Sequence, residues 1–261
     1  GSAMARQRRR PRPGRASSRE GAAATSSNQQ RTGSILPPST HSDVRGETAF
    51  ALPEPVLYLT LGRDDIDTCL KQYRFDACQA LGLDVEARPS YRRGQSNNRV
   101  DTIQLCSESA CVVVSLSNAV MLPPLLGHLV SSPTVLKFGC GVSNDLILLA
   151  KRFPSTFGHA HLSVDAIACS CVELGVLAPL TGAVDADAPQ YGLRRLAAHF
   201  GIILEKPKKI QMSDWSRVPL SQAQIRYAAS DAAMSRWLAA RLLRKSQCSL
   251  LAAAALPFAG L

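Results

Sequence analysis

Several features are scarce or missing in this sequence of 261 residues, and each absence narrows the class of protein. No run of about 18 or more uncharged apolar residues occurs, so a membrane span is not predicted. The eight cysteines form no CxxC pair and no Cys/His spacing that suits zinc, which indicates small buried residues in a reducing compartment. Aromatic residues make up only 5% of the chain, so any stacking surface must be local.

Large apolar and acidic residues are also scarce near the beginning of the chain. The first 46 residues hold nine arginines and two acids, a net charge of +7 within a formal charge of +10 for the whole sequence. We therefore expect residues 1–48 to be a disordered basic tail and residues 49–261 to form one domain. Residues 1–3, which precede Met4, have the character of a cloning remnant.

The tail suggests where the protein resides. The segment RQRRRPRPGR is typical of a nuclear-import or nucleic-acid-binding arm, whereas an Arg-rich, Ser-rich and acid-poor start also suits a mitochondrial transit peptide. Pro11 and Pro13 disfavour an amphipathic targeting helix. We expect a nuclear location, with a mitochondrial one as the alternative and a merely solubilising tail still open.

Beyond Pro55 the hydrophobic pattern alternates between strand-like and helix-like stretches. Strands are predicted at 56–60, 80–87, 100–106, 110–116 and 134–140, and helices at 64–73, about 120–131, about 144–153, about 191–200 and about 221–245. Residues 163–174 are predicted to pass from a short strand into a helix. This order indicates an α/β fold with a mixed central sheet flanked by helices.

Four carboxylates stand at three separated places in this pattern. Asp84 and Glu86 are at positions i and i+2 of a predicted strand, so both side chains face one side of the sheet. Asp145 follows a strand and a glycine-containing turn, in the first turn of a predicted helix, and Asp231 shares a helix face with Tyr227, four residues earlier. Acids that converge without a basic partner in their motifs indicate bound divalent metal, and therefore phosphoryl chemistry.

Each motif is weak evidence when it is taken alone. A DxE pair on a strand is usually a solvated face, and YxxxD on a helix is common. The GVSND segment alone is explained equally well by a helix N-cap at Asn144 or Asp145. The hypothesis of a metal site therefore depends on the joint occurrence and order of the three motifs.

These motifs give the chain a resemblance to a known group. GLDVEA, FGCGVSNDLILL and QIRYAASDA are similar to the three motifs of the DEDD superfamily of 3′-5′ exonucleases, which have a ribonuclease H-like fold. Tyr227 matches the DEDDy subclass, and Arg226 stands where the other subclass has histidine. The segments VDTIQLC and MSDW resemble the Werner-type exonuclease domain and ribonuclease D, although Ala87 replaces a large aromatic of the Werner-type domain.

The resemblance implies a function and a set of roles. Asp84, Glu86, Asp145 and Asp231 would bind two divalent ions, Mg²⁺ or Mn²⁺, and Tyr227 would position the nucleophilic water. The expected activity is hydrolysis of DNA or RNA from a free 3′ end with release of nucleoside 5′-monophosphates, in DNA repair or RNA processing. The alternatives are a catalytically silent nucleic-acid-binding scaffold and, less favoured, an endonuclease on the same fold. The implied partner is a nucleic acid with a free 3′ end, single-stranded or recessed, and the sequence does not identify any protein partner.

Substrate contacts are predicted from basic segments near the motifs. The loop that follows the DxE strand contributes Arg92, Arg93 and Asn97, which are placed to touch phosphates. Lys206, Lys208 and Lys209 are candidates for lining the path of a strand. Both segments are equally consistent with solvated surface. Trp215, in the SDW segment, is expected to be a packing residue and not a catalyst.

Overall fold

The computed structural model describes residues 34–35, 50–89, 99–116, 118–158, 168–185 and 191–245. Its centre is a seven-stranded mixed sheet in the order β1-β2-β5-β4-β3-β6-β7. The strands are β1 (Ser34–Ile35), β2 (Val56–Thr60), β3 (Ala80–Ala87), β4 (Val100–Cys106), β5 (Cys111–Ser115), β6 (Leu136–Gly139) and β7 (Cys171–Glu173). β3 pairs antiparallel with β4 and parallel with β6, so the sheet is mixed as the sequence predicts.

The helices follow the apolar periodicity of the sequence. They are α1 (Ile66–Gln72), α2 (Pro124–Ser131), α3 (Val142–Arg152), α4 (Pro154–Gly158), α5 (Leu174–Leu180), α6 (Leu193–His199), α7 (Lys208–Gln211) and α8 (Gln222–Lys245), with a 3-10 turn at Phe75–Ala77. Of the segment 163–174, predicted to pass from a strand into a helix, residues 163–167 lie outside the described residues, β7 covers Cys171–Glu173 and the helix begins at Leu174. α7 lies in a run of lysines for which no helix is predicted.

The sheet is covered by helices on both faces, and alternation along the strands decides which side chain enters which layer. Leu81, Leu83 and Val85 of β3 pack into a core with α1, α2 and α3. Ala80 and Gly82 face the opposite layer, where α8 crosses β3. The fold is thus an α/β arrangement with a central mixed sheet, which agrees with the prediction.

Gly82 explains how closely α8 approaches the sheet. A Cβ atom built at Gly82 would overlap the carbonyl group of Ala232 on α8, and it would lie 2.9 Å from the backbone nitrogen of Arg236. Only glycine lets the strand and the helix meet at this distance. The carboxylates of β3 and α8 are near neighbours because these two backbones are in contact.

Two further predictions can be compared with the structure. All seven cysteines that the structure describes are free, and Cys106, Cys111 and Cys171 are buried as expected. Cys169 is exposed, contrary to the prediction, because it lies in the turn that precedes β7.

Ser34 and Ile35 pair with β2, while the remainder of the predicted tail lies outside the described residues. Among the helices of the described ranges, none is long and apolar enough to cross a membrane.

Candidate active site

The two carboxylates of β3 lie on the face of the sheet that α8 covers. Asp84 and Glu86 follow Gly82 at alternate positions, and both are partly buried. Val85, between them, packs into the opposite core, as the pleat of a strand requires. The prediction that Asp84 and Glu86 share a face is therefore confirmed in the structure.

α8 supplies the second half of the site. It begins in a capping box, in which the Ser221 hydroxyl accepts from the Gln224 backbone N–H at 3.3 Å while the Gln224 side chain accepts from the Ser221 backbone N–H at 3.0 Å. The Gln224 amide also donates to the Ser213 hydroxyl and to the Asp214 carbonyl, each at 3.0 Å. These bonds set the start of α8, so Asp231 falls on the turn that faces Gly82.

The acids of β3 and α8 form a compact cluster. Carboxylate oxygens of Asp84, Glu86 and Asp231 all lie within 4.8 Å of one another. Lys206, from the segment before α7, places its Nζ 2.7 Å from Asp231 Oδ2, and it is the partner that no local motif predicts. The Lys206 ammonium group therefore contacts the acidic cluster.

Asp145 joins this cluster from the end of a neighbouring strand. β3 and β6 are parallel, so their carboxyl ends meet at one edge of the sheet, and α3 begins immediately beyond β6. Asp145 lies in the first turn of α3, as predicted, and it is close enough to Asp84 for the two charges to interact. It stands outside the set of three acids that lie within 4.8 Å.

The start of α3 is held by a residue that the sequence reasoning missed. Glu173, at the end of β7, accepts from the Gly141 N–H at 2.7 Å and from the Ser143 N–H at 2.9 Å. Gly141 is the N-cap residue, with φ +87°, and has no side chain to do this itself. The alternative of an N-cap at Asn144 or Asp145 is wrong, because both lie inside the helix and Glu173 caps it from another strand. The signal that could have predicted this contact is the acid at the end of the SCVEL segment. β7 lies beside the parallel strand β6, which ends in glycine, so the acid reaches the turn that follows β6.

Burial raises the pKa values of all four acids, and repulsion from neighbouring acids adds to the shift at Asp84, Glu86 and Asp145. Burial, followed by the Asp231 charge, raises the pKa of Asp84 to about 7. Burial and the Asp84 charge raise the pKa of Glu86 to about 9. The pKa of Asp145 is raised by burial, Asp84 and Glu173, and that of Asp231 is raised by burial and partly restrained by Lys206. Such a cluster favours a compensating cation.

Tyr227 stands beside Asp231, one turn earlier on α8. Burial, followed by the charges of Asp231 and Glu86, raises its pKa, so the phenol remains protonated at neutral pH. A hydrogen bond joins it to Asp231, and the Lys206 Nζ lies 5.7 Å from its ring centroid. Trp215 is fully buried 5.9 Å from the same ring and donates its indole N–H to the Gln211 carbonyl, which confirms it as a packing residue.

The predicted substrate residues divide into three groups. Arg92, Arg93 and Asn97 lie outside the described residues. Lys208 and Lys209 are exposed on α7, and Lys206 contacts the acidic cluster. Asp84, Glu86, Asp145, Tyr227 and Asp231 are brought together.

The chemistry of the cluster fits a hard divalent cation. Its carboxylates offer only oxygen ligands, which are the ligands that Mg²⁺ and Mn²⁺ prefer. The raised pKa values show that burial places these acids where their charges are poorly compensated by the protein alone. Asp84, Glu86 and Asp231, with Asp145 beside them, are therefore a candidate metal centre.

Comparison with known proteins places the chain in a family. A family model described as a 3′-5′ exonuclease matches residues 68–247, a span that contains every residue of the cluster. The chain belongs to this 3′-5′ exonuclease family. Curated 3′-5′ exonucleases of Drosophila yakuba and Arabidopsis thaliana are 28% and 30% identical over 177 and 154 residues, which are 67% and 58% of this chain. The chain spans about half their length, 47% and 48% respectively.

Solved structures of similar fold support the assignment to a ribonuclease H-like exonuclease fold. The Aedes aegypti Nibbler EXO domain is 20% identical with a TM-score of 0.55, and the match covers 74% of this chain and 88% of that one. Escherichia coli RNase D is 20% identical with a TM-score of 0.53, and the match covers 76% of this chain and 47% of that one. Brucella melitensis NrnC bound to pGG is 20% identical with a TM-score of 0.54, and the match covers 74% and 81%.

Proposed function

We propose that this protein is a metal-dependent 3′-5′ exonuclease that removes nucleoside 5′-monophosphates from the 3′ end of a nucleic acid. The observation that carries the proposal is the convergence of Asp84, Glu86 and Asp231 within 4.8 Å, with Asp145 and Tyr227 beside them, in a chain of this family. The fold is shared with NrnC bound to pGG and with a Trypanosoma brucei RNase D complexed with RNA U12. Those ligands support nucleic acid as the substrate class.

The four carboxylates would hold two divalent cations, Mg²⁺ or Mn²⁺. Bound there, such ions supply positive charge at the scissile phosphate and lower the pKa of the attacking water. A carboxylate set that is costly to bury alone is balanced by that positive charge. Asp84 and Glu86 project from a rigid strand, and Asp145 and Asp231 from helices fixed by Glu173 and Gln224.

Tyr227 acts in this scheme as a hydrogen-bonding group. Its raised pKa keeps the hydroxyl protonated at neutral pH, so the phenol can orient the attacking water by a hydrogen bond. Asp231 holds the hydroxyl by a hydrogen bond, and Trp215 supports the ring from the core. Tyr227→Phe should therefore lower kcat and leave metal affinity unchanged.

Incubation of the full chain with a 5′-labelled oligonucleotide and Mg²⁺ or Mn²⁺ tests the proposal. We expect stepwise shortening from the 3′ end, and loss of the ladder when Asp84 and Glu86 are both replaced with alanine. The matched control replaces Glu54 and Asp76, an exposed pair of the same residue types, and should retain full activity. Binding without shortening would indicate the scaffold, and internal cuts would indicate an endonuclease. Rates on matched DNA and RNA strands then identify the preferred substrate.

A further inference from the structure

A groove opens beside the acidic cluster, between α6 and the segment that leads to α7. It has a volume of about 440 Å³, and its lining includes Leu193, Arg194, Arg195 and Lys206. A second hollow of about 500 Å³ continues along residues 202–207 and shares Arg194 and Lys206 with the first. Volumes in this range suit a segment of a linear ligand as well as a small molecule.

Lys206 connects this groove to the active site. Its side chain lines both hollows, and its Nζ lies 2.7 Å from Asp231 Oδ2 in the acidic cluster. The groove and the acidic cluster are therefore neighbours that share the side chain of Lys206.

The groove presents positive charge to solvent. Arg194 and Arg195 are exposed, and within the part of the chain that the structure describes neither forms an ion pair. The Arg195 guanidinium is held 4.5 Å from the centroid of the Tyr191 ring, which limits its freedom. Glu205 is the acid among the residues that line the second hollow. Because Arg194, Arg195 and Lys206 outnumber it, the summed charge of the lining side chains is positive.

An apolar surface lies on the same groove. Ile203 lines the second hollow and is 91% exposed, so its side chain is accessible to a ligand in the groove. Guanidinium groups beside an exposed apolar contact match the needs of a single-stranded nucleic acid, whose phosphates take the charges and whose bases take the apolar contact.

We propose that the α6 groove binds the single-stranded part of the substrate on the 5′ side of the scissile phosphate. This inference rests on the proposed function, because an enzyme that holds a 3′ end at the carboxylates leaves only the 5′ side of the strand to extend away. Arg194 and Arg195 contact backbone phosphates, and Ile203 packs against a base.

Salt-dependent binding tests the groove without requiring turnover. The probe is a fluorescein-labelled 12-nucleotide single strand, measured by anisotropy with the full-length Asp84→Ala/Glu86→Ala protein, and product analysis confirms that the strand stays intact. Adding Arg194→Gln and Arg195→Gln should weaken binding about tenfold at 50 mM salt and make the slope of log K against log[salt] shallower by about 1.4. Arg194→Gln alone, which leaves the Tyr191 stack in place, should change the slope by about 0.7.

Two further variants separate the contacts. Ile203→Ser should weaken binding several-fold and leave the salt slope unchanged, because it removes no phosphate contact. The control, Arg63→Ala/Lys71→Ala, removes two exposed positive charges near α1, a helix that packs on the opposite face of the sheet, and should leave affinity and slope unchanged. An unchanged affinity and slope in the Arg194/Arg195 variant would overturn the proposal, as would an equal loss in the control.

Turnover distinguishes failure of the groove from failure of the proposed function. With otherwise wild-type protein, Arg194→Gln/Arg195→Gln should raise KM for the 12-nucleotide strand about tenfold and leave a dinucleotide, which has no phosphate beyond the scissile one, nearly unaffected. Hydrolysis by wild type with equal KM values in the variant would refute the groove alone. No hydrolysis by wild type would refute the proposed function, and the binding slopes would still test the groove.

Discussion

Glu173 is predicted to maintain the active site from outside the acidic cluster. Its carboxylate accepts two backbone N–H groups at the start of α3, at 2.7 and 2.9 Å, and Asp145 lies one turn further along the same helix. A hydrogen bond to a charged group contributes about 1.5–3 kcal/mol, and loss of an N-cap costs about 1 kcal/mol. Because Glu173 is partly exposed, we take the low end of the range for its two bonds and expect Glu173→Ala to lower the free energy of unfolding by about 3 kcal/mol. For a domain of this size that loss lowers Tm by about 6–12 °C.

The structure offers a matched control for this substitution. Asp67 caps α2 in the same way, accepting from the N–H groups of Leu125 at 3.0 Å and Leu126 at 3.3 Å, and α2 carries no residue of the site. Asp67→Ala should therefore lower Tm by a similar amount and leave the site intact. Glu173→Ala should also weaken Mn²⁺ binding, measured by calorimetry, and lower kcat, because Asp145 is no longer held.

The refuting results are distinct. If Glu173→Ala and Asp67→Ala lowered Tm equally and neither changed Mn²⁺ affinity or kcat, Glu173 would be a structural cap with no positioning role. If Glu173→Ala left Tm unchanged, the two hydrogen bonds would contribute nothing measurable. Glu173→Gln, which keeps one acceptor oxygen, should fall between wild type and alanine in both Tm and affinity.

Two other predictions concern stability. Gly82→Ala should lower the free energy of unfolding, measured in urea titrations, by about 3 kcal/mol, because the added Cβ would overlap the Ala232 carbonyl. The control Gly192→Ala, whose Cβ would enter open space, should change it by less than about 0.5 kcal/mol. Equal effects of the two substitutions would contradict the close contact of α8 with β3. Lys137 is fully buried on β6, and burial lowers its pKa from 10.5 to about 8, so the unfolded state binds more protons between these pH values and stability rises with pH there. The difference in free energy of unfolding between wild type and Lys137→Met should increase by about 3 kcal/mol from pH 8 to 10.5. The corresponding difference for Lys71→Met, an exposed control, should not change with pH in this way. If the difference for Lys137→Met were independent of pH, the pKa of Lys137 would not be lowered.

The residues that the sequence predicted correctly are those whose placement depends on local periodicity. The two-residue period of β3 puts Asp84 and Glu86 on one face, and the helical period of α8 puts Tyr227 beside Asp231. Element boundaries shift by a few residues, as at α3, because Glu173 in another strand decides where that helix begins.

The contacts that the sequence did not predict join segments far apart in the chain. Lys206 reaches Asp231, and Glu173 reaches Gly141, only because the sheet order and the path of α8 bring these segments together. No spacing rule connects residues 25 or 32 positions apart in different elements. α7 was missed because a four-residue helix in a run of lysines has no apolar period to reveal it.

The active site opposes folding, and packing elsewhere compensates for it. The upward pKa shifts of Asp84, Glu86, Asp145 and Asp231 mean that burial, and at the first three also repulsion from nearby acids, disfavours the charged carboxylates in the folded chain. Lys206 offsets part of that cost at Asp231. The remaining cost is met by contacts that do not touch a carboxylate, such as Gly82 against α8 and the buried ring of Trp215. A cation bound at these carboxylates would therefore stabilise the folded state, since it would offset the cost of burying their negative charges.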